Sequence, residues 1–175
     1  MERELLGWPE DGRTLSLPHE QFSYAGKFVM SNTGKAVVRS ADDDVLAAAS
    51  FDEDRTDPAV LRIRYLTVRS DRRGERIGPR LAAFVADRAR ERGYERVKIA
   101  VNNPFAYQAL YRAGFAYTGS RTGIAELVLE RPGDRSEERY RRGLDAFRER
   151  EDLSDAERSF LADLPDGGLP ESPDF

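Results

Sequence analysis

The sequence predicts a mixed α/β fold: a twisted, mostly antiparallel sheet with one central parallel βαβ pair, followed by C-terminal helices. Three observations carry this. Val60–Val68 and Arg96–Val101 read as strands, and residues 79–92 between them place Leu81, Phe84, Val85 and Ala89 on one helical stripe. A strand, a crossover helix and a second strand in one sheet run parallel by the right-handed rule. The strand signals outside this unit are separated by short turns, which join antiparallel neighbours.

Taken in order, residues 14–17 read as a weak strand, and residues 22–30 are aromatic without a clean period, so helix and strand both stay open there. Residues 35–39 and 45–51 form a hairpin around the Asp42-Asp43-Asp44 turn. Along Val60–Val68 the apolar parity shifts from Leu61, Ile63 and Tyr65 to Leu66 and Val68. Either a β-bulge or a strand buried on both faces produces that shift. Gly93 caps the crossover helix, and Val97, Ile99 and Val101 share one face of the next strand. Asn103 is a good N-cap with Pro104 at the first helical position, and Gly114 closes that helix before Phe115 opens a strand. Residues 119–123 form the turn before a last strand at 124–130.

Arg131-Pro132-Gly133 marks a compositional break, so residues 1–131 are expected to form the main domain and 132–165 a helical extension. Residues 134–151 are strongly charged, with Tyr140, Leu144 and Phe147 as a narrow apolar stripe. Ser154 and Glu157 have the spacing of a capping box, opening a short helix that carries Phe160, Leu161 and Leu164. Residues 166–175, rich in Pro, Gly and Asp, are expected to be disordered.

Composition removes several function classes. With no Cys among 175 residues, thiolate nucleophiles, disulfides and cysteine zinc sites are excluded. His19 is the only histidine, in a polar stretch without a partner motif, so neither a Ser-His-Asp hydrolase nor a multi-histidine metal centre is expected. The formal charge is −4, with 25 Arg and 3 Lys against 32 acidic residues, which speaks against general nucleic-acid affinity. The apolar runs are too short to cross a bilayer, and the polar first residues do not resemble a secretory signal, so a soluble, cytoplasmic protein is expected.

The chemistry is concentrated in Arg69-Ser-Asp-Arg-Arg-Gly-Glu-Arg-Ile-Gly78, between the first crossover strand and its helix. A turn entering a helix N-terminus offers unpaired N–H groups and a favourable dipole, which together bind phosphate. Gly74 and Gly78 let the backbone approach a ligand, while Arg73 and Arg76 add charge-assisted donors suited to a pyrophosphate.

This segment resembles the GNAT superfamily of acyl-CoA-dependent N-acyltransferases. That family joins a strand ending in Leu-x-Val to an Arg/Gln-x-x-Gly-x-Gly/Ala loop that opens a helix. Leu66-Thr67-Val68 and Arg73-Gly74-Glu75-Arg76-Ile77-Gly78 stand in that register. A second family segment, Asn-x-x-Ala followed after one helix by Gly-Phe, is matched by Asn103, Ala106 and Gly114-Phe115. The resemblance implies that acetyl-CoA contacts Leu66, Thr67, Val68, the six loop residues, Asn103 and Ala106, and that its acyl group passes to a primary amine attacking directly, without a metal. The acceptor is then a small molecule or a peptide, and neither nucleic acid nor membrane is an expected partner. The alternative is a CoA-binding regulator of the same fold that has lost the chemistry.

Relatives often carry a tyrosine four residues before the Gly-Phe glycine as proton donor to the leaving thiolate. Here that position is Leu110, and the candidates are Tyr111, with Tyr107 as close rival. The loop also departs from the pattern, because Arg76 replaces the middle glycine. That position is therefore expected to avoid positive φ. Pro79 removes one N–H from the helix start. Many relatives place a glutamate on the strand that here carries Arg62 and Arg64, which leaves Glu126, the Asp52-Glu53-Asp54 group and His19 as candidate bases. Residues 18–34 form a short cover for the acceptor side, so an open cleft, or one completed by a second subunit or the C-terminal helices, is expected.

Overall fold

The order of strand and helix signals sets which segments pair, and a computed structural model describes the outcome for residues 1–165 and 167–171. Seven strands and four α-helices follow one another: β1 (Glu2–Gly7), β2 (Gly34–Arg39), β3 (Val45–Glu53), β4 (Val60–Val68), α1 (Ile77–Glu91), β5 (Arg96–Val101), α2 (Pro104–Arg112), β6 (Ala116–Arg121), β7 (Leu127–Arg131), α3 (Glu137–Arg148) and α4 (Asp155–Ala162). The strand order is β1-β2-β3-β4-β5-β7-β6. β1 to β4 form an antiparallel ladder and β6/β7 an antiparallel hairpin, while β4 and β5, joined through α1, are the parallel pair. The mixed, mostly antiparallel α/β fold expected from the sequence is therefore the one the chain adopts.

Close contacts divide the chain into two units, residues 1–97 and 98–175. In the first unit the ladder register assigns each face. Ala36, Val38, Ala47, Ala49, Phe51, Leu61 and Ile63 alternate onto one face and are buried there. Helix α1 covers this face with Leu81, Ala82, Val85 and Ala89. Alanines on both surfaces let the helix lie close, and Phe84 is displaced to the rim, where Arg88 and Arg3 sit over its ring at 5.2 and 5.9 Å. Helix α1 starts at Ile77, two residues earlier than the sequence suggested, so Pro79 lies inside its first turn rather than at its first position.

The opposite face carries Lys35, Val37, Ala48, Ser50, Tyr65 and Thr67. Phe28 packs on Val37 and Ala48, with Leu15, Leu17 and Tyr65 around them. Residues 14–17 form no strand, contrary to expectation. Leu15 and Leu17 serve instead as packing side chains of an irregular segment, and the edge strand is β1, whose ERELLG sequence shows no alternation. The undecided stretch at 22–30 contains one short 3₁₀ helix, Ala25–Val29. Lys35 anchors this cover. Its ammonium, sealed from solvent, donates to the carbonyls of Arg13 (3.0 Å), Met30 (2.7 Å) and Thr33 (2.7 Å) and to Thr33 Oγ1 (2.8 Å). Burial holds its pKa below the ordinary lysine value.

In the second unit Asn103 caps α2, accepting from the Ala106 N–H at 2.8 Å, and Pro104 takes the first position as read from the sequence. Gly114 closes the helix at φ +94°. Ser154 and Glu157 form the expected capping box on α4. Helix α3 is more buried than its charge suggested: Tyr140, Leu144 and Phe147 pack inward, and Arg139 donates to the Thr118 carbonyl of β6 at 2.7 Å. Of the expected tail at 166–175, residues 166 and 172–175 lie outside those described. Among the described residues no helix is long and apolar enough to cross a membrane.

Candidate active site

The loop between β4 and α1 is exposed. Residues 73–76 lie at the surface, and burial begins only at Ile77. A short 3₁₀ turn, Ser70–Arg72, leads into Gly74 at φ +85° and Arg76 at φ +63°, and Arg76 is itself the N-cap of α1. The expectation that Arg76 avoids positive φ is thus corrected. The chain must reverse within one residue to enter the helix, and Arg76 adopts the left-handed conformation that the family's glycine would take without a Cβ penalty. The first hydrogen bond of α1 runs from Arg80 N–H to the Arg76 carbonyl at 3.3 Å, and Pro79 has no N–H, so Ile77 and Gly78, both buried, carry the N–H groups at the helix start that no helical carbonyl takes.

The loop arginines divide into two pairs. Arg69 is bidentate on Asp71 (2.7 and 3.3 Å), and Arg72 is bidentate on Glu75 (2.7 and 3.0 Å). The Arg72 guanidinium holds the Glu75 carboxyl below its ordinary value. Arg73 and Arg76 form no ion pair among the described residues; Arg73 donates to Ser23 Oγ at 3.3 Å. Two ion-paired arginines therefore precede two that form no ion pair among the described residues. Gly78 has a different task from Gly74. Around Gly74 there is open space, whereas a Cβ on Gly78 would lie 3.3 Å from Val68 Cγ2 and 3.8 Å from Leu66 Cδ2. Gly78 thus seats the start of α1 against the end of β4, bringing the Leu66-Thr67-Val68 strand end and the loop together.

The parity shift on β4 is a bulge. Ser50 pairs with Tyr65 and Phe51 with Ile63, so Arg64 is the extra residue. Beyond it Leu66 and Val68 face α1, while Tyr65 and Thr67 turn to the other face. Each carboxylate among the candidate bases has a partner, Glu53 accepting from the Tyr94 hydroxyl at 3.3 Å. Arg62 pairs with Asp54 and holds that carboxyl far below the usual range, and Arg64 pairs with Asp52. His19 is exposed beside Glu20, and Glu126 accepts from Thr122 Oγ1 within a tight turn.

On α2, Asn103 Oδ1 is committed to the helix cap, and Ala106 supplies the N–H it accepts. Tyr107 and Tyr111 are both fully buried in an aromatic cluster with Tyr117, Tyr140 and Phe147. The Tyr107 hydroxyl donates to the Tyr140 carbonyl at 2.7 Å, and the Tyr111 hydroxyl accepts from the Tyr117 N–H at 2.8 Å. Burial pushes both hydroxyls above the ordinary tyrosine value.

Residues 3–115 match the model of the acetyltransferase (GNAT) family, well over half of the sequence. The chain belongs to that family. No curated protein matches it. Solved structures with the same fold include an IAA acetyltransferase from Bacillus cereus ATCC 14579, at 18% identity over 74% of this chain and 97% of that one, TM-score 0.54. Another is a GCN5-related N-acetyltransferase from Kribbella flavida, at 23% identity over 58% and 68% of the two chains, TM-score 0.51. Nourseothricin acetyltransferase is matched at 22% identity over 56% of this chain, which spans only 64% of that protein, TM-score 0.49. At this level of identity the first two show the fold alone.

The GNAT-family loop suits a diphosphate: N–H groups at the start of a 15-residue helix that no helical carbonyl takes, open space around Gly74, and two arginines that form no ion pair among the described residues. Sequence reasoning singled out Thr67 for its backbone and passed over its side chain. Thr67 Oγ1 is buried with no hydrogen-bond partner, as is Ser50 Oγ one strand away. It passed over Lys35 too, because a lysine in a strand of an antiparallel sheet reads as solvent-facing.

Proposed function

We propose that this GNAT-family chain transfers the acetyl group of acetyl-CoA to a primary amine, the amine attacking directly while both substrates are bound. The observation that carries the reading is the loop of residues 73–78, exposed over 73–76, in which Arg73 and Arg76 form no ion pair among the described residues and lead into the helix-start N–H groups of Ile77 and Gly78. Arg73, Gly74, Glu75, Arg76, Ile77 and Gly78 hold the diphosphate. The β4 strand end, Leu66 to Val68, offers backbone groups to the pantetheine amides and the thioester carbonyl beyond the bulge. Asn103 and Ala106 act by fixing the start of α2, since the Asn103 side chain is spent on the cap.

Helix α1 covers the face of β4 that carries Leu66 and Val68, so the amine arrives on the face of Tyr65 and Thr67. Its cover there holds no full helix, which leaves room for a small-molecule or peptide acceptor or for a second copy of the chain. We read Tyr107 and Tyr111 as the packing that joins α2 to α3, because reaching a thiolate would require each hydroxyl to leave a buried partner.

The test is release of free CoA from acetyl-CoA against polyamines, aminoglycosides, amino acids and peptide N-termini, with melting temperature followed in parallel. The proposal expects release with at least one class and a rise in melting temperature with CoA. A second reading, a CoA-binding regulator, draws on the pairing of Asp52 and Asp54 with arginines and on the buried tyrosines. It is selected if CoA raises the melting temperature while no amine is acetylated.

A further inference from the structure

Asp52 and Asp54 are ion-paired, Glu53 and Glu126 accept from hydroxyls, His19 lies exposed beside Glu20 and both tyrosine hydroxyls are bonded in the interior, yet the attacking nitrogen must lose a proton and the departing sulfur must gain one. Thr67 offers a single group for both. Its residue is 4% exposed, its Oγ1 is buried, and among the described residues no group bonds to that oxygen. A buried hydroxyl without a partner is uncommon, because desolvating it is unfavourable unless something compensates. Leu66 and Val68 point to the start of α1, where Gly78 meets them, so Thr67 is the residue of this strand end that turns a polar atom toward the acceptor's face.

We infer that Thr67 Oγ1 is a catalytic proton shuttle between the acceptor amine and the sulfur of the thioester. The inference rests on the transfer reading above. The neutral amine nitrogen attacks the thioester carbonyl carbon. A C–N bond forms and the π pair moves to oxygen, which the β4 backbone N–H groups hold. As the pair returns, the C–S bond breaks and its electrons leave with sulfur. The nitrogen, now positive, gives its proton to Thr67 Oγ1, and Thr67 gives its own hydroxyl proton to the thiolate. The products are the N-acetyl amine and the free thiol, and Thr67 ends as it began. No other acid or base is consumed. The amine must arrive uncharged, so kcat/KM rises with pH along the titration of the free acceptor.

The experiment compares Thr67→Val, which keeps the shape and removes the hydroxyl, with Thr67→Ser, which keeps the hydroxyl. Ser50→Ala is the control for an orphaned buried hydroxyl on the neighbouring strand. Thr67→Val is expected to lower kcat about 100-fold, the lower end of what a positioned proton-transfer group contributes. KM for both substrates should stay within about twofold, and the melting temperature should hold or rise, because an unsatisfied buried hydroxyl has gone. Thr67→Ser should keep kcat within about threefold, and Ser50→Ala should leave it unchanged. With two acceptors of different amine pKa, the apparent pKa of kcat/KM should follow the acceptor.

If Thr67→Val keeps kcat within twofold, or if Val and Ser lose equally with a lowered melting temperature, the shuttle is overturned while transfer stands. A kcat/KM profile with the same pKa for both acceptors also overturns it, since it reveals an enzyme base. Wild-type protein that binds CoA yet acetylates no amine removes the transfer reading itself.

Discussion

A Cβ added to Gly143 on α3 would overlap the hydroxyl of Tyr107 on α2. The missing side chain is what lets the Tyr107 ring stack on Tyr140 at 5.9 Å and its hydroxyl reach the Tyr140 carbonyl. Neither partner can yield: Tyr107 is walled in by Tyr111, Tyr117 and Phe147. In an open helix, replacing Gly with Ala stabilises by about 1 kcal/mol. Here overpacking, about 1–3 kcal/mol, opposes that gain and exceeds it. Gly143→Ala is therefore expected to lower stability by up to about 2 kcal/mol in urea unfolding. A stabilised variant would show that the two helices do not approach this closely.

The loop arginines should separate in CoA binding. Arg73→Ala and Arg76→Ala each remove a guanidinium outside any ion pair and should weaken CoA about tenfold, equivalent to about 1.4 kcal/mol. Arg69→Ala and Arg72→Ala remove groups already bidentate on Asp71 and Glu75 and should change Kd less than about twofold. Calorimetric titration with CoA checks both halves. Equal losses at all four positions would mean that a diffuse positive field, rather than two directed contacts, holds the ligand.

Signals that act over one turn of chain were readable in the sequence. The Asn103-Pro104 start of α2, its Gly114 stop and the Ser154/Glu157 capping box each depend on residues within a few positions, and each formed as read. The bulge was visible as a parity slip, because period-2 alternation ties register to face. What stayed hidden depends on distant partners. The ordering of residues 13–33 depends on the Lys35 ammonium collecting carbonyls from Arg13, Met30 and Thr33, and no local pattern announces such a convergence. The hydroxyls of Tyr107 and Tyr111 looked available until α3 and β6 were placed against them. The orphaned Thr67 hydroxyl is defined by what does not bond to it, which no sequence displays.

Arg76 sets backbone strain against ligand contact. At φ +63° a residue with a Cβ costs about 1–2 kcal/mol, whereas glycine adopts this geometry freely and loses about 0.5–1 kcal/mol in chain entropy. Arg76→Gly should therefore raise folding stability by about 0.5–1 kcal/mol while weakening CoA as Arg76→Ala does. Urea unfolding read beside CoA titration tests this. A variant that loses stability would mean that the arginine side chain contributes packing that outweighs its strain.

Alkaline stability should report on the aromatic cluster. Tyr107, Tyr111 and Tyr140 all have hydroxyls raised above the ordinary 10.0, in each case mainly by burial. A raised folded pKa means that the folded state keeps a proton the unfolded chain releases, so the stabilisation is complete below pH 10 and is lost as pH rises beyond it. Lys35 acts with the opposite sign. Its folded pKa lies below 10.5, so its buried charge is a cost that disappears as pH climbs toward that value. Above about pH 10.5 the cluster tyrosines steepen the fall, by about 1.4 kcal/mol per pH unit for each group that stays protonated. Urea unfolding followed from about pH 9 to about pH 11.5 should thus show stability falling steeply over the upper half of that range. Tyr107→Phe removes one titrating group and should flatten the fall by about 1.4 kcal/mol per pH unit. An unchanged slope would mean that the Tyr107 hydroxyl ionises within the folded protein, which its sealed contact with the Tyr140 carbonyl forbids.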